Sequence, residues 1–149
     1  MEVIAFTFSR PETTSAVTRG AARMLAAAGY APLLEVSLPN GRRADIMALG
    51  RRGEILIVEV KSSVEDFRVD RKWRDYLEYC DRFAFAVAPE FPREILPDEP
   101  GLIVADSFDG VMLREAVASP VSGPRRKAIT LAFGRLAAMR AIASSGVST

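Results

Sequence analysis

Apolar residues recur at helical spacing in the first part of the chain. In residues 13–29, Val17, Ala21 and Leu25 stand four positions apart, so they line one side of a helix. Gly29 follows the last of them, and glycine is the residue that most often ends a helix. The pattern therefore predicts an amphipathic helix over residues 13–29, with this apolar stripe turned towards a core.

Shorter apolar runs, bounded by glycine, proline and asparagine, predict strands. They occupy residues 33–38, 42–49, 54–61, 83–88, 102–105 and 111–113. The four residues Gly50–Gly53 predict a hairpin between the second and third of these strands. The third run is apolar at nearly every position until Glu59, which is typical of a central strand covered on both faces.

Two further helices complete the pattern. Residues 70–80 are predicted to be helical with Asp70 as a cap, and a last helix begins near Pro124 and runs to about Ala143. The order is α-β-β-β-α-β, followed by a β-hairpin and a helix. We expect an α/β fold with a mixed sheet, in one domain over residues 1–149 with a frayed tail at 144–149.

The composition limits the chemistry. The 149 residues include no histidine, so the usual serine and cysteine hydrolase triads and the commonest zinc ligand are excluded. Catalysis would have to use carboxylates, lysines, tyrosines or a metal held by oxygens. The one cysteine, Cys80, is predicted to be a buried thiol. No apolar run is long enough to span a membrane and the N-terminus does not resemble a signal peptide, so we expect a cytoplasmic protein.

Charge is nearly balanced but unevenly distributed. The net charge of +1 does not by itself indicate nucleic-acid binding. Basic residues are nevertheless concentrated in the middle third of the chain, and a second basic cluster, Arg125–Lys127, lies at the start of the last helix. Two interpretations stay open for both groups: a surface that contacts phosphates, or ordinary solvated charges.

The third strand ends in two charged residues that share a face. Glu59 and Lys61 are two positions apart, so their side chains point to the same side of the strand. Charges in a strand this apolar are costly unless they are paired or bind a ligand. The plain alternative is that the strand has simply reached solvent.

Asp45, in the preceding strand, adds a second carboxylate. If Arg51, Arg52 and Gly53 form a three-residue loop, Asp45 lies directly opposite Glu59, with β-carbons roughly 4.5–5.5 Å apart. Two facing carboxylates repel each other without a cation between them. Magnesium prefers oxygen ligands, usually one or two carboxylates plus water and phosphate. Asp45, Glu59 and the carbonyl of Val60 are therefore candidate metal ligands.

The chain resembles a known family at these residues. Asp45 followed by Glu59-Val60-Lys61, on an α-β-β-β-α-β order, is similar to the PD-(D/E)XK nuclease superfamily, except that Ala44 stands where a proline often precedes the aspartate. Residues 41–45, 59–63 and 66–73 resemble more specifically the MmcB-like family of bacterial DNA-repair proteins.

The resemblance implies metal-dependent hydrolysis of DNA phosphodiester bonds with Mg²⁺ or Mn²⁺. Asp45 and Glu59 would bind the metal, and Lys61 would orient water and stabilise the developing charge. Many members add another acidic ligand, for which Glu35 is the natural candidate and Glu12 a weaker one. DNA contacts are expected from four residues: Arg43, Arg71, Lys72 and Trp73.

Two functions remain in competition. The first is a DNA-repair endonuclease that acts on branched, single-stranded or damaged DNA. The second is a DNA-binding or scaffold module on a nuclease fold with little or no cleavage. The small size and near-neutral charge favour help from a second copy of the chain or from a repair-protein partner. For Trp73, stacking on a base competes with burial in the core, which is the commoner place for an aromatic residue at helical spacing.

Overall fold

A computed structural model describes residues 10–69 and 72–147. Its three α-helices are Arg10–Ala27 (α1), Val64–Val69 (α2) and Gly123–Ser144 (α3). Its six strands are Ala31–Ser37 (β1), Arg43–Leu49 (β2), Ile55–Lys61 (β3), Arg82–Val87 (β4), Gly101–Ala105 (β5) and Gly110–Arg114 (β6). Two 3₁₀ helices lie at Trp73–Tyr79 and Arg93–Ile95. The predicted fold class is confirmed.

The six strands form one mixed sheet in chain order. β1, β2 and β3 make an antiparallel meander, β3, β4 and β5 run parallel, and β6 returns antiparallel to β5. β3 and β4 are therefore central, and β3 is buried at all seven positions. This burial explains why its sequence is apolar on both faces.

Each face of the sheet has its own core. On one face, α1 packs its stripe of Val17, Ala21 and Leu25 against the sheet. The 3₁₀ helix Trp73–Tyr79 and α3 cover the other face, and α3 buries Ile129 and Phe133 there. No helix of the described part of the chain has both the length and the apolarity needed to cross a membrane.

The helix predicted at residues 70–80 is wrong in detail. An α-helix, α2, begins earlier at Val64, and the later segment is a 3₁₀ helix. Capping explains the early start, because the Ser63 hydroxyl accepts a hydrogen bond from the Asp66 N–H at 3.1 Å. The proposed cap Asp70 lies outside the described residues.

Candidate metal and nucleic-acid site

The site begins where the ladder between β2 and β3 stops. The loop has three residues, as predicted, because the Gly50 N–H donates to the Glu54 carbonyl at 2.8 Å. Backbone pairing runs from Leu49–Ile55 to Ile46–Val58. The same register places Asp45 opposite Glu59, but at this step side chains replace the backbone ladder.

Each carboxylate accepts a hydrogen bond from the opposite strand. The Asp45 N–H donates to Glu59 Oε1 at 3.0 Å, and the Val60 N–H donates to Asp45 Oδ2 at 2.8 Å. The two carboxyl groups are also close enough to share a hydrogen bond with each other. Because the N–H and C=O of one strand residue point to the same side, the Val60 carbonyl faces β2 as well. The three candidate ligands thus meet between two separating strands.

Burial sets the electrostatics of this pair. Glu59 is only 5% exposed, and burial raises the pKa of Asp45 above its ordinary value, although the Val60 N–H and Lys61 act to lower it. Burial disfavours a charged carboxylate, and a carboxyl neighbour within hydrogen-bonding distance favours sharing one proton. The raised pKa of Asp45 marks this pair as a candidate functional site.

Lys61 is buried in the same place. It is 4% exposed, and its Nζ lies 4.0 Å from Asp66 Oδ1 on α2. Asp66 is itself fixed, since its Oδ2 accepts from the Ser62 N–H at 3.1 Å while its own N–H donates to Ser63. The sequence Ser63-x-x-Asp66, which begins two residues after Lys61, is a capping signal that could have identified Asp66 as a neighbour of the site.

All these groups open into one cavity of about 810 Å³. Its other wall is the polar side of α1, which contributes Thr14, Ser15, Thr18 and Arg19. Sequence reasoning missed this wall, although Thr14 and Thr18 are one turn apart and lie beside the buried Val17. The described lining carries four carboxylates and two basic side chains, which leaves an excess of negative charge.

Of the two candidates for an additional acidic ligand, only one lines the cavity. Glu35 lines the cavity, whereas Glu12 lies on α1 outside its lining. Among residues 10–69 and 72–147, no group of three or more Asp, Glu, His or Cys side chains converges on one point. Glu35 shares the cavity with Asp45 and Glu59 but does not complete a three-carboxylate cluster with them.

Of the two interpretations of Trp73, base stacking and burial in the core, the structure favours burial. Its ring is 7% exposed and stacks on Phe83 with centroids 5.7 Å apart. The Arg74 guanidinium lies over the ring at 4.8 Å. Trp73 belongs to the core because the 3₁₀ helix presses it against β4.

The other predicted DNA contacts have different outcomes. Arg43 and Lys72 are exposed, as a phosphate contact requires, and Arg71 lies outside the described residues. The basic cluster at the start of α3 is largely paired, since Arg125 binds Glu78 and Arg126 binds Asp81. These ion pairs favour a structural role for Arg125 and Arg126.

Cys80 is buried, as predicted. Its exposure is 2%, and burial raises the pKa of the thiol to about 12. A thiol of that kind stays protonated and unreactive at neutral pH.

Comparisons with known proteins agree with the resemblance to the MmcB-like family. A solved structure described as SPO1766, a protein of unknown function from Silicibacter pomeroyi, is 42% identical, covers 89% of this chain and 91% of its own, and superimposes with a TM-score of 0.87. A repair endonuclease from Pyrococcus abyssi is far more distant, at 17% identity, 70% and 49% coverage and a TM-score of 0.42. No curated protein matches. Residues 4–146 match the family described as DNA repair protein MmcB-like, and the chain therefore belongs to the MmcB-like DNA repair protein family.

Proposed function

We propose that the chain is a metal-dependent DNA endonuclease with Asp45, Glu59 and Lys61 at its centre. The observation that carries the proposal is the hydrogen-bonded pair of half-buried Asp45 and buried Glu59, with the buried Lys61 in the same cavity. Burying charged groups costs free energy unless they are paired or bind a ligand. Membership of a DNA-repair family supports a nucleic-acid substrate.

The donor set suits a hard divalent cation. The Asp45 and Glu59 carboxylates and the Val60 carbonyl offer oxygens only, which Mg²⁺ and Mn²⁺ prefer, and the lining formed by the described residues contains no sulfur or imidazole. The negative excess of the cavity also matches a cation rather than a bare phosphate. Such an ion would supply Lewis-acid activation of a phosphodiester.

The chain's own residues account for the remaining steps. Lys61 carries an ammonium that donates hydrogen bonds to the attacking water and to an oxygen of the scissile phosphate, where negative charge grows in the transition state. Asp66 restrains that ammonium through the 4.0 Å contact. The hydroxyl of Thr14 and the guanidinium of Arg19 give the opposite wall donors suited to phosphate and sugar oxygens, whereas the Thr18 hydroxyl donates to the Thr14 carbonyl at 2.7 Å.

Surface contacts to DNA are proposed at exposed basic residues. Arg43 lies two residues before Asp45, and Lys72 follows α2. We expect these two residues to contact the DNA backbone, and the sequence adds Arg71 as a third candidate. With a net charge of only +1, a second copy of the chain or a repair-protein partner would contribute further contacts.

One observation favours the alternative of a DNA-binding module without cleavage. Both carboxylates accept hydrogen bonds from backbone N–H groups of the facing strand, so they also serve to join β2 and β3. A site whose ligands had become structural would look similar. Cleavage and binding must therefore be measured separately.

The separating variant is Lys61→Met, which keeps the buried stem and removes the charge. Removing one group that stabilises transition-state charge typically costs a hundredfold or more in rate, so we expect nicking of branched DNA to fall by about that factor. Binding should weaken only by about one phosphate contact. The measurements are a nicking time course and a gel-shift titration on the same DNA, at one salt concentration, with Mg²⁺ or Mn²⁺.

Lys127→Met is the matched control, since Lys127 is an exposed lysine that does not line the cavity. It should cut at nearly the wild-type rate. The result against the endonuclease is a wild type that binds DNA but cuts it with neither metal, and a Lys61→Met variant that behaves in the same way. The binding module would then be the function that the data support.

A further inference from the structure

Strand β1 contains a backbone irregularity at the site. Glu35 has φ 51°, a left-handed conformation that glycine and, less often, asparagine adopt readily and glutamate rarely does. Pairing with β2 runs up to Leu34–Ile46 and resumes at Val36–Ala44, so Glu35 and Asp45 fall in the gap between. Such strain persists only where neighbouring structure holds it.

Arg140 of α3 supplies that support. Its Nη1 donates to the Leu34 carbonyl, and its Nη2 donates to the Glu35 carbonyl at 2.8 Å. In a regular strand, successive carbonyls point to opposite sides, so one guanidinium cannot bind both. The planar fork of arginine therefore fits the kinked strand and not the regular one.

The kink is shared by the neighbouring strand. Ala44 and Met47 pack in the core beneath α3, whereas Ile46 and Ala48 pack in the core beneath α1. Strict alternation would place Ala44 with Ile46, so β2 changes phase at Asp45. β1 changes phase at the facing position, since Leu33 packs on the same core as Val36.

This phase change turns the Asp45 amide into the site. The Gly50 N–H donates towards β3, so in a regular strand the even-numbered N–H groups of β2 face β3 and the odd-numbered ones face β1. The Asp45 N–H breaks that rule and donates to Glu59 Oε1. The Asp45–Glu59 arrangement therefore depends on the kink.

We propose that Arg140 is a positioning residue for the carboxyl pair: it clamps the Leu34–Glu35 kink and thereby holds Asp45 against Glu59. The inference rests on the proposed function for its catalytic consequence and on geometry alone for the clamp. It makes α3, which lies beyond the resemblance to the nuclease core at residues 13–88, a working part of the site.

The test compares Arg140→Met and Arg140→Lys with wild type in the full chain. Supporting groups behind metal ligands typically contribute 10–100-fold to metal affinity, so we expect Arg140→Met to weaken Mn²⁺ binding about tenfold in calorimetry. DNA nicking should lose kcat by a similar factor with little change in KM. Lysine lacks the planar pair of nitrogen donors of arginine. The Mn²⁺ affinity and kcat of Arg140→Lys should therefore lie between those of wild type and Arg140→Met.

Two controls separate positioning from general destabilisation. Arg135→Met removes an exposed arginine of the same helix, and Ile129→Val loosens the buried face of α3 while keeping Arg140 and its two carbonyl acceptors. Both should keep wild-type Mn²⁺ affinity and kcat. Equal losses in Ile129→Val and Arg140→Met at matched melting temperature would overturn the proposal.

Amide hydrogen exchange distinguishes failure of the clamp from failure of the proposed function. Arg140→Met should speed exchange of the Asp45 N–H, since its bond to Glu59 depends on the kink, and leave exchange at Ile57 in the central strand unchanged. This result holds whether or not the protein binds metal or cuts DNA. Unchanged exchange at Asp45 in Arg140→Met overturns the clamp itself. Faster exchange in Arg140→Met, together with a wild-type protein that neither binds Mn²⁺ nor nicks DNA, contradicts only the proposed function.

Discussion

Two acidic centres in this protein have pKa values shifted in opposite directions. Asp81, at the start of β4, accepts hydrogen bonds from the N–H groups of Ile55 and Val121 and from both terminal nitrogens of Arg126. Burial by itself would raise the pKa of Asp81, but these donors outweigh it and hold the pKa at about 2. Residues of this chain thus donate four hydrogen bonds to the Asp81 carboxylate.

At the Asp45–Glu59 pair the balance is reversed. Burial raises the pKa of Asp45, although the Val60 N–H and Lys61, which also contacts Asp66, act to lower it. Both centres join strands, yet hydrogen-bond donors outweigh burial only at Asp81. The difference teaches that a lowered pKa with several donors accompanies a structural carboxylate, whereas a raised pKa in an open cavity is the setting in which we propose a ligand.

The largest effect that would sharpen this contrast is on stability at Asp81. Asp81→Ala leaves the buried Ile55 N–H without its acceptor and the Arg126 guanidinium without its carboxylate, and breaking a buried pair typically costs about 3–5 kcal/mol. Urea unfolding of wild type and variant measures the change in unfolding free energy. The control is Asp75→Ala at the exposed Arg42–Asp75 pair, which should lose no more than about 1 kcal/mol. Equal losses would contradict the structural role of Asp81.

The next effect concerns cations at the other centre. A metal that binds only the folded state, at a hundred times its Kd, adds about 2.7 kcal/mol to the unfolding free energy. We expect Mg²⁺ or Mn²⁺ to raise the melting temperature of wild type, and Asp45→Asn to lose most of that rise. Without metal, Asp45→Asn should be at least as stable as wild type, because it removes a carboxyl that burial disfavours in its charged form.

Asp66→Asn is the matched control for that experiment. Asp66 lines the same cavity but lies outside the carboxyl pair, and an asparagine oxygen can still accept from the Ser62 N–H. It should keep most of the metal-induced rise. A rise of the same size in wild type and Asp45→Asn would indicate a non-specific salt effect.

The smallest effect is the acid response of Asp81. Its folded pKa of about 2 lies below the ordinary value of 3.8, so its stabilisation is present above pH 4 and is lost as the pH falls towards 2. At 1.36 kcal/mol per unit, the loss is about 2 kcal/mol. The gap in unfolding free energy between wild type and Asp81→Asn should narrow by that amount between pH 5 and pH 2. A gap that stays constant would show that Asp81 does not titrate in this range.

The sequence determined much of the fold and the centre of the site. Periodicity gave the strands, and the three-residue loop Arg51–Gly53 fixed the register that brings Asp45 opposite Glu59. These are local properties, because hydrophobic spacing and turn length act over a few residues. The same local rules missed α2, since a helix of six residues depends on its caps and leaves little periodic signal.

Only the tertiary structure decided which charged and aromatic residues are available. Trp73 and Lys72 are neighbours in sequence, yet the first is buried against Phe83 and the second is exposed. Arg126 reaches Asp81 across 45 residues, and Arg140 reaches Glu35 across 105. No spacing rule connects such distant positions, because their contact follows from how α3 and the 3₁₀ helix pack on the sheet, and that packing sets burial, pairing and pKa.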